Sequence, residues 1–282
     1  MSKRRISIVA AVAAVALVAL SMTGVAAARN PEYLGCGKVK KDKTTKKYTG
    51  HYTDKNCSEP NLMNEGKYER VPPKKFPIKT SAKKIGETSI YLYNPPEHKN
   101  EAELPCKEGS ESGTINNSSE QTLSIVYKGC VVPTVLKTGK TAQDPGPCNS
   151  PGKASGEVVT EPLVTKLVWL DEAETIPGIR VEAATVGGVF QDAECSGGNV
   201  KIKTTGSILA KLTPAGVLTK LLTATFNATL TTGEPEFGSY WEGAVQTEVK
   251  LFSEITGLVE KPAVPTSEVS TIPQKSGKVL VG

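Results

Sequence analysis

Only two histidines, His51 and His98, occur in the 282 residues. A histidine-based triad or a multi-histidine metal site needs imidazoles held by packed neighbours, and both of these lie in polar, loop-like sequence. Each reads as a surface residue. None of the six cysteines falls in a CxxC or CxxH spacing, which removes the usual zinc frameworks. The chain also lacks G-x-S-x-G, H-E-x-x-H, a phosphate-binding glycine loop and an EF-hand loop. Two Ser-x-x-Lys matches, Ser81 to Lys84 and Ser150 to Lys153, stand near Lys137-Thr138-Gly139. The order is wrong for a penicillin-recognising enzyme and no Ser-Asp-Asn occurs, so the matches read as chance. Aromatic residues are scarce at 5%. Beyond the N-terminus no stretch is apolar enough to span a membrane, and no long 3.6-residue period announces a helix.

What is present begins with MSKRRISIVAAVAAVALVALSMTGVAAARN. Three basic residues, an apolar run from Ile6 to Leu20 and small residues at Ala26, Ala27 and Ala28 have the order of a secretory signal peptide, expected to be cut after Ala28. Losing Lys3, Arg4 and Arg5 lowers the formal charge from +5 to +2. The remainder is unevenly spread: Arg29 to Ile90 holds fifteen Lys/Arg against seven Asp/Glu, and the rest sixteen against twenty-two. A basic head precedes a mildly acidic body.

An even number of cysteines beyond the cleavage site is the pattern of a disulfide framework in an oxidising compartment. Proximity favours Cys36 with Cys57 and Cys130 with Cys148, leaving Cys106 with Cys195. Residues 29–77 read as a small basic module bound by cysteines, 78–260 as the main β-rich domain, and 261–282 as a loosely ordered tail.

Short apolar–polar alternations separated by Gly, Pro and Asn predict strands throughout the main domain. They fall at Ser89 to Asn94, Thr122 to Tyr127, near Val131 to Leu136, Gly156 to Thr160, Leu163 to Leu170, Arg180 to Ala184, Val189 to Cys195, Val200 to Thr204, Ser207 to Leu212, Lys220 to Leu230, Ser239 to Trp241 and Ala244 to Phe252. Glu97 to Glu120 is polar and turn-forming, which predicts an exposed loop, and Pro177-Gly178 predicts a turn. The fold class is therefore all-β, an antiparallel sandwich or barrel with a small disulfide-bound N-terminal module.

Candidate contacts for a ligand are few. Lys40, Lys41, Lys43, Lys46 and Lys47 suit polyanions, although a solvated face with almost no arginine is the plainer reading. Tyr240-Trp241 is the one aromatic pair with the makings of a glycan platform, against a packing role on an edge strand. Carboxylates at Asp171, Glu172 and Glu174, or at Glu234 and Glu236, flank turn signals and read as solvated turns; a glycosidase would need two of them across a cleft.

Tyr33-x-x-Cys36-x-Lys38-Val39, Lys47-Tyr48, Asn56-Cys57, Glu65-Gly66-Lys67-Tyr68-Glu69, Lys128-Gly129-Cys130, Cys148-x-Ser150-Pro151-Gly152 and Gly156-Glu157-Val158-Val159-Thr160 follow one another along the chain. This series resembles a large group of uncharacterised secreted proteins of Gram-positive soil bacteria. The resemblance spans Tyr33 to about Phe252 and implies an extracellular, disulfide-bonded chain; it implies no activity and no site. The expectation is a secreted, non-catalytic structural or binding protein without a cofactor. Its partner would be a cell-wall polymer, an extracellular glycan or a protein, with no specific nucleic acid and no transmembrane segment in the mature chain. The alternatives are a polysaccharide hydrolase using a carboxylate pair, or a polyanion-binding protein acting through the basic module.

Overall fold

A computed structural model describes residues 30–72, 76–79, 88–94, 99–132, 134–135, 146–216, 222–226, 236–256, 264–268 and 280–281. The segment read from sequence as a signal peptide, His98, Ser81 to Lys84, Lys137 to Gly139 and Glu234 lie outside these residues. Strands account for the regular structure: β1 (Tyr33–Lys38), β2 (Tyr68–Val71), β3 (Phe76–Lys79), β4 (Thr88–Asn94), β5 (Lys99–Cys106), β6 (Glu108–Ile115) and β7 (Glu120–Lys128) come first. There follow β8 (Thr134–Val135), β9 (Cys148–Asn149), β10 (Glu157–Val159), β11 (Leu163–Trp169), β12 (Pro177–Ala183), β13 (Val189–Cys195) and β14 (Val200–Thr213). The last are β15 (Thr223–Thr225), β16 (Ser239–Glu242), β17 (Val245–Glu248), β18 (Leu251–Thr256), β19 (Val264–Glu268) and β20 (Leu280–Val281). Among the described residues the one helical element is a single 3-10 turn, Ser196–Gly198.

All pairings between strands are antiparallel, and they build a sandwich-like arrangement. One layer runs β3, β6, β7, β11, β12, the second half of β14, and β15. The other runs β9, β13, the first half of β14, β18, β19, β4, β5 and β8. Strand β14 belongs to both. It changes partners at Gly206, whose φ is 101° and where a Cβ would lie 2.2 Å from the Lys250 carbonyl oxygen. Only glycine fits that crossing.

The inward residues follow from period-two alternation. Leu163, Thr165 and Leu167 of β11 meet Ile179 and Val181 of β12, Ile208, Ala210 and Leu212 of β14, and Leu123, Ile125 and Tyr127 of β7, all buried. Phe190, Ala193, Val200 and Ile202 of the other layer belong to the same core. A second, smaller cluster lies on the outer face of the first layer. There Val168, Leu170 and Leu209 are covered by Tyr240 and Val249, with Ile176 and Phe237 packed against them.

Several expectations change. Glu97 to Glu120 is no loop: β5 and β6 occupy most of it, with Leu104, Cys106, Gly109, Glu111 and Ile115 buried. Between Cys106 and Ile115 the inward positions are Gly109, Glu111 and Gly113, so the alternation carries no hydrophobic signal there. Pro177-Gly178 begins β12 instead of turning, because both residues are packed inside, Gly178 against Leu170 and the Ala210 carbonyl. The two strands expected at Val200 to Leu212 are one. Residues 261–282, read from sequence as a loose tail, contribute β19 beside β4 and β20 beside β1.

The cystines are Cys36–Cys57, Cys106–Cys130 and Cys148–Cys195. The pairing of Cys130 with Cys148 and of Cys106 with Cys195 expected from sequence proximity is therefore corrected. The β6–β7 hairpin brings its two open ends together, setting Cys106 4.0 Å from Cys130 between Cα atoms. Cys148 lies opposite Cys195 in the β9–β13 register, 3.9 Å apart. Backbone pairing overrides nearness in sequence; Cys130 and Cys148 are still neighbours, through the Cys148 N–H donated to the Cys130 carbonyl at 3.0 Å.

Candidate functional site

The basic head is built on polar turns. Between residues 34 and 72 only Gly50, Cys57 and Gly66 are buried. The two glycines are required by a close backbone approach, since a Cβ on Gly50 would lie 2.3 Å from the Tyr68 carbonyl oxygen and one on Gly66 2.2 Å from that of Tyr52. Asp42 closes the lysine-rich turn by accepting the N–H groups of Thr45 at 2.7 Å and Thr44 at 2.9 Å, and these donors hold its carboxyl below the usual range. Asp54 gathers the N–H groups of Glu59 and Ser58 at 2.9 Å and of Asn56 at 2.8 Å, with the Ser58 hydroxyl at 3.0 Å. The Glu59 N–H contributes most, and together the donors lower its pKa to about 2.

Every sequence-predicted lysine is exposed: Lys40, Lys41, Lys43, Lys46 and Lys47. Lys47 pairs with Glu65 at 2.6 Å and Lys41 sits over the Tyr48 ring at 5.2 Å. Among the described residues no ion pair engages Lys40, Lys43 or Lys46. His51 is exposed as expected, with Nδ1 against a Glu69 carboxylate oxygen at 2.5 Å.

Tyr240 and Trp241 separate in role. Tyr240 is buried, 3% exposed, over the outer cluster, and its hydroxyl accepts from Arg180 at 2.6 Å while the ring lies beneath that guanidinium at 5.4 Å. Burial pushes the Arg180 pKa down, but the Glu182 carboxylate at 2.5 Å and Tyr240 outweigh it and leave the group more basic than usual. Trp241 is half-buried on β16, opposite the buried Trp169 of β11. A contact with a ligand through Tyr240 is thus closed off; packing is its role.

Of the carboxylates, Asp171 is likewise committed. Asp171 accepts the N–H groups of Thr175 at 2.9 Å and Ile176 at 2.7 Å and the Thr175 hydroxyl at 2.5 Å. Burial raises its pKa, and the Thr175 hydroxyl and the backbone donors more than reverse the shift. It fastens its own turn. Glu172 and Glu236 are exposed. Ser150, from the second Ser-x-x-Lys match, is buried beside the Cys148–Cys195 bond; its hydroxyl donates to the Asp192 carbonyl at 2.6 Å and accepts the Val159 N–H at 3.0 Å. It ties β10 to β13.

Sequence reasoning overlooked two open depressions beside the β12–β13 turn, each about 350 Å³. Glu161 and Asp192 border one, and Glu120, Lys166 and Glu182 the other. No motif marks them, because their residues come from strands that meet only in the folded chain. Among the described residues no cluster of His, Cys, Asp and Glu is arranged to hold a metal ion, and no helix is long and apolar enough to cross a membrane. No known family, curated protein or solved structure matches the chain.

Proposed function

We propose that this chain is a secreted, disulfide-stabilised structural or binding protein of the cell surface or extracellular space, and that it is not an enzyme. One observation carries the reading. The polar side chains with the strongest chemical character, Ser150, Asp54, Asp171 and Arg180, are bound to backbone or to neighbouring side chains as fasteners of the fold. A hydrolase keeps its acid and nucleophile facing a cleft. Three cystines and the A-x-A segment support export, as does the resemblance to secreted proteins of Gram-positive soil bacteria.

The test is to incubate the oxidised mature protein with a panel of cell-wall polymers and plant or microbial glycans, and to measure both retention and release of reducing ends. Retention without turnover is the expected result. Turnover abolished by Glu161→Gln or Asp192→Asn would overturn it and install the hydrolase reading at the first depression. The polyanion reading is favoured by a specific observation, the exposed Lys40, Lys43 and Lys46, which no ion pair engages among the described residues, and it requires retention that falls steeply with salt.

A further inference from the structure

The most exposed large apolar side chains of the head are adjacent: Leu62 is 97% and Met63 81% exposed. Single exposed apolar residues are commonplace, but this pair stands at the tip of a constructed loop. The Asn61 Oδ1 accepts the Met63 N–H at 2.9 Å and the Glu65 N–H at 3.3 Å, while the Asn61 N–H is donated to the His51 carbonyl at 2.7 Å. Asn64, with φ of 53°, returns its N–H to the Asn61 carbonyl at 3.0 Å. The tip is held outward. These bonds fix the backbone of the tip, from which both apolar side chains extend into solvent.

The loop is tied to the lysine-rich turn by the Lys47–Glu65 pair at 2.6 Å. That pair also neutralises Glu65, His51 lies against Glu69, and the head's other carboxylates are held within it: Glu59 accepts the Thr53 hydroxyl at 3.0 Å, and Asp42 and Asp54 accept backbone N–H groups. Lys40, Lys43, Lys46, Lys55 and Lys67 are exposed. From this juxtaposition we propose that the head docks on an anionic lipid surface, with Leu62 and Met63 entering the headgroup region and the lysines meeting the headgroup charges. Shallow apolar insertion beside point-charge attraction is the interfacial binding mode, and spread lysines serve it without the forked geometry of arginine. A soluble polyanion would use the lysines and leave the apolar tip idle.

This rests on the extracellular binding reading, yet its test is separate, since glycan turnover would sink that reading without touching vesicle binding. The oxidised mature chain is sedimented with vesicles of phosphatidylcholine alone and of phosphatidylcholine mixed equally with phosphatidylglycerol, at low and high salt. The wild type should bind only the anionic vesicles, less at high salt. Leu62→Ser with Met63→Ser, and separately Lys40→Gln with Lys43→Gln and Lys46→Gln, should each weaken binding about tenfold. Leu62→Trp should bind and show a blue-shifted emission on anionic vesicles, which also reports on a variant that is folded. Absence of binding to anionic vesicles would overturn the proposal, as would equal binding to phosphatidylcholine, full binding by the Ser pair or an unshifted emission. Displacement of wild type and Ser pair alike by soluble polyphosphate would make a free polyanion the ligand and overturn it too.

Discussion

The basic head and the β body are stabilised by different physics in one chain. In the body, strand alternation buries two faces of apolar side chains around Ile179, Leu212 and Phe226, and burial is the driving term. In the head, residues 34–72 bury only two glycines and one half-cystine. There the fold depends on Cys36–Cys57, on backbone contacts that only Gly50 and Gly66 permit, and on carboxylates and amides gathering N–H groups. A segment too small for a core needs such fasteners. The lesson is that the head can spend its whole surface on solvent or a partner, whereas the body cannot change an inward residue without a cavity.

Tyr33 joins the two regions. It opens β1, the head's strand, yet its side chain is fully buried in the body's core, and its N–H is donated to the Ser118 carbonyl at 2.6 Å. Burial pushes its phenol pKa well up, and the Thr165 hydroxyl beside it opposes the shift only partly, lying outside hydrogen-bond geometry.

The comparison breaks most visibly under truncation. Phe226→Ala should cost about 3–5 kcal/mol of global stability by denaturant titration, whereas Leu62→Ala should change it by less than about 0.5 kcal/mol; equal effects would erase the distinction. Removing the Cys148–Cys195 bond by a double Ser substitution should cost about 4 kcal/mol from the 47-residue separation it spans. The matching change at Cys36 and Cys57 should leave the body's thermal transition in place and open the head to limited proteolysis. Tyr33→Phe should raise stability by up to about 1 kcal/mol, because it removes a buried hydroxyl without a partner; a loss would mean that the hydroxyl is bonded.

Acid sharpens the contrast. Asp54 has its folded pKa depressed to about 2. Its contribution is therefore complete above the ordinary aspartate value and is lost as pH falls from there through about 2. Amide protection in residues 54–59, measured against the intrinsic exchange rate, should fall over that window while protection in β11, β12 and β14 does not; Asp54→Asn should show no such window. Smallest of all, Lys40→Gln, Lys43→Gln and Lys46→Gln should each leave the unfolding free energy within about 0.5 kcal/mol, since exposed lysines contribute little.

Much of the body was legible along the chain. Val189 to Cys195 forms a strand over the residues that alternation indicates, and Leu222, Ala224 and Phe226 are buried while Thr223 and Thr225 are partly open. The β5–β6 region was not legible, because Gly109, Glu111 and Gly113 stand where apolar residues normally mark an inward face. Of the site, the exposure of the lysines could be read from composition. The burial of Tyr240 could not, since it depends on the β16–β17 hairpin lying over the outer face of β11 and β14, a contact between segments some seventy residues apart in the case of Trp169 and Trp241.

Local chemistry by itself settled the all-β class and most of the short strands, because side-chain alternation and turn residues act over a few positions; nearness in sequence favoured Cys36–Cys57, which forms, and Cys130–Cys148, which does not. Only the tertiary structure decided the other two cystines, the insertion of Tyr33 into the body and the retirement of Ser150 and Tyr240 into the fold. Each of these depends on strand register, and register is chosen by burying the whole set of inward faces together.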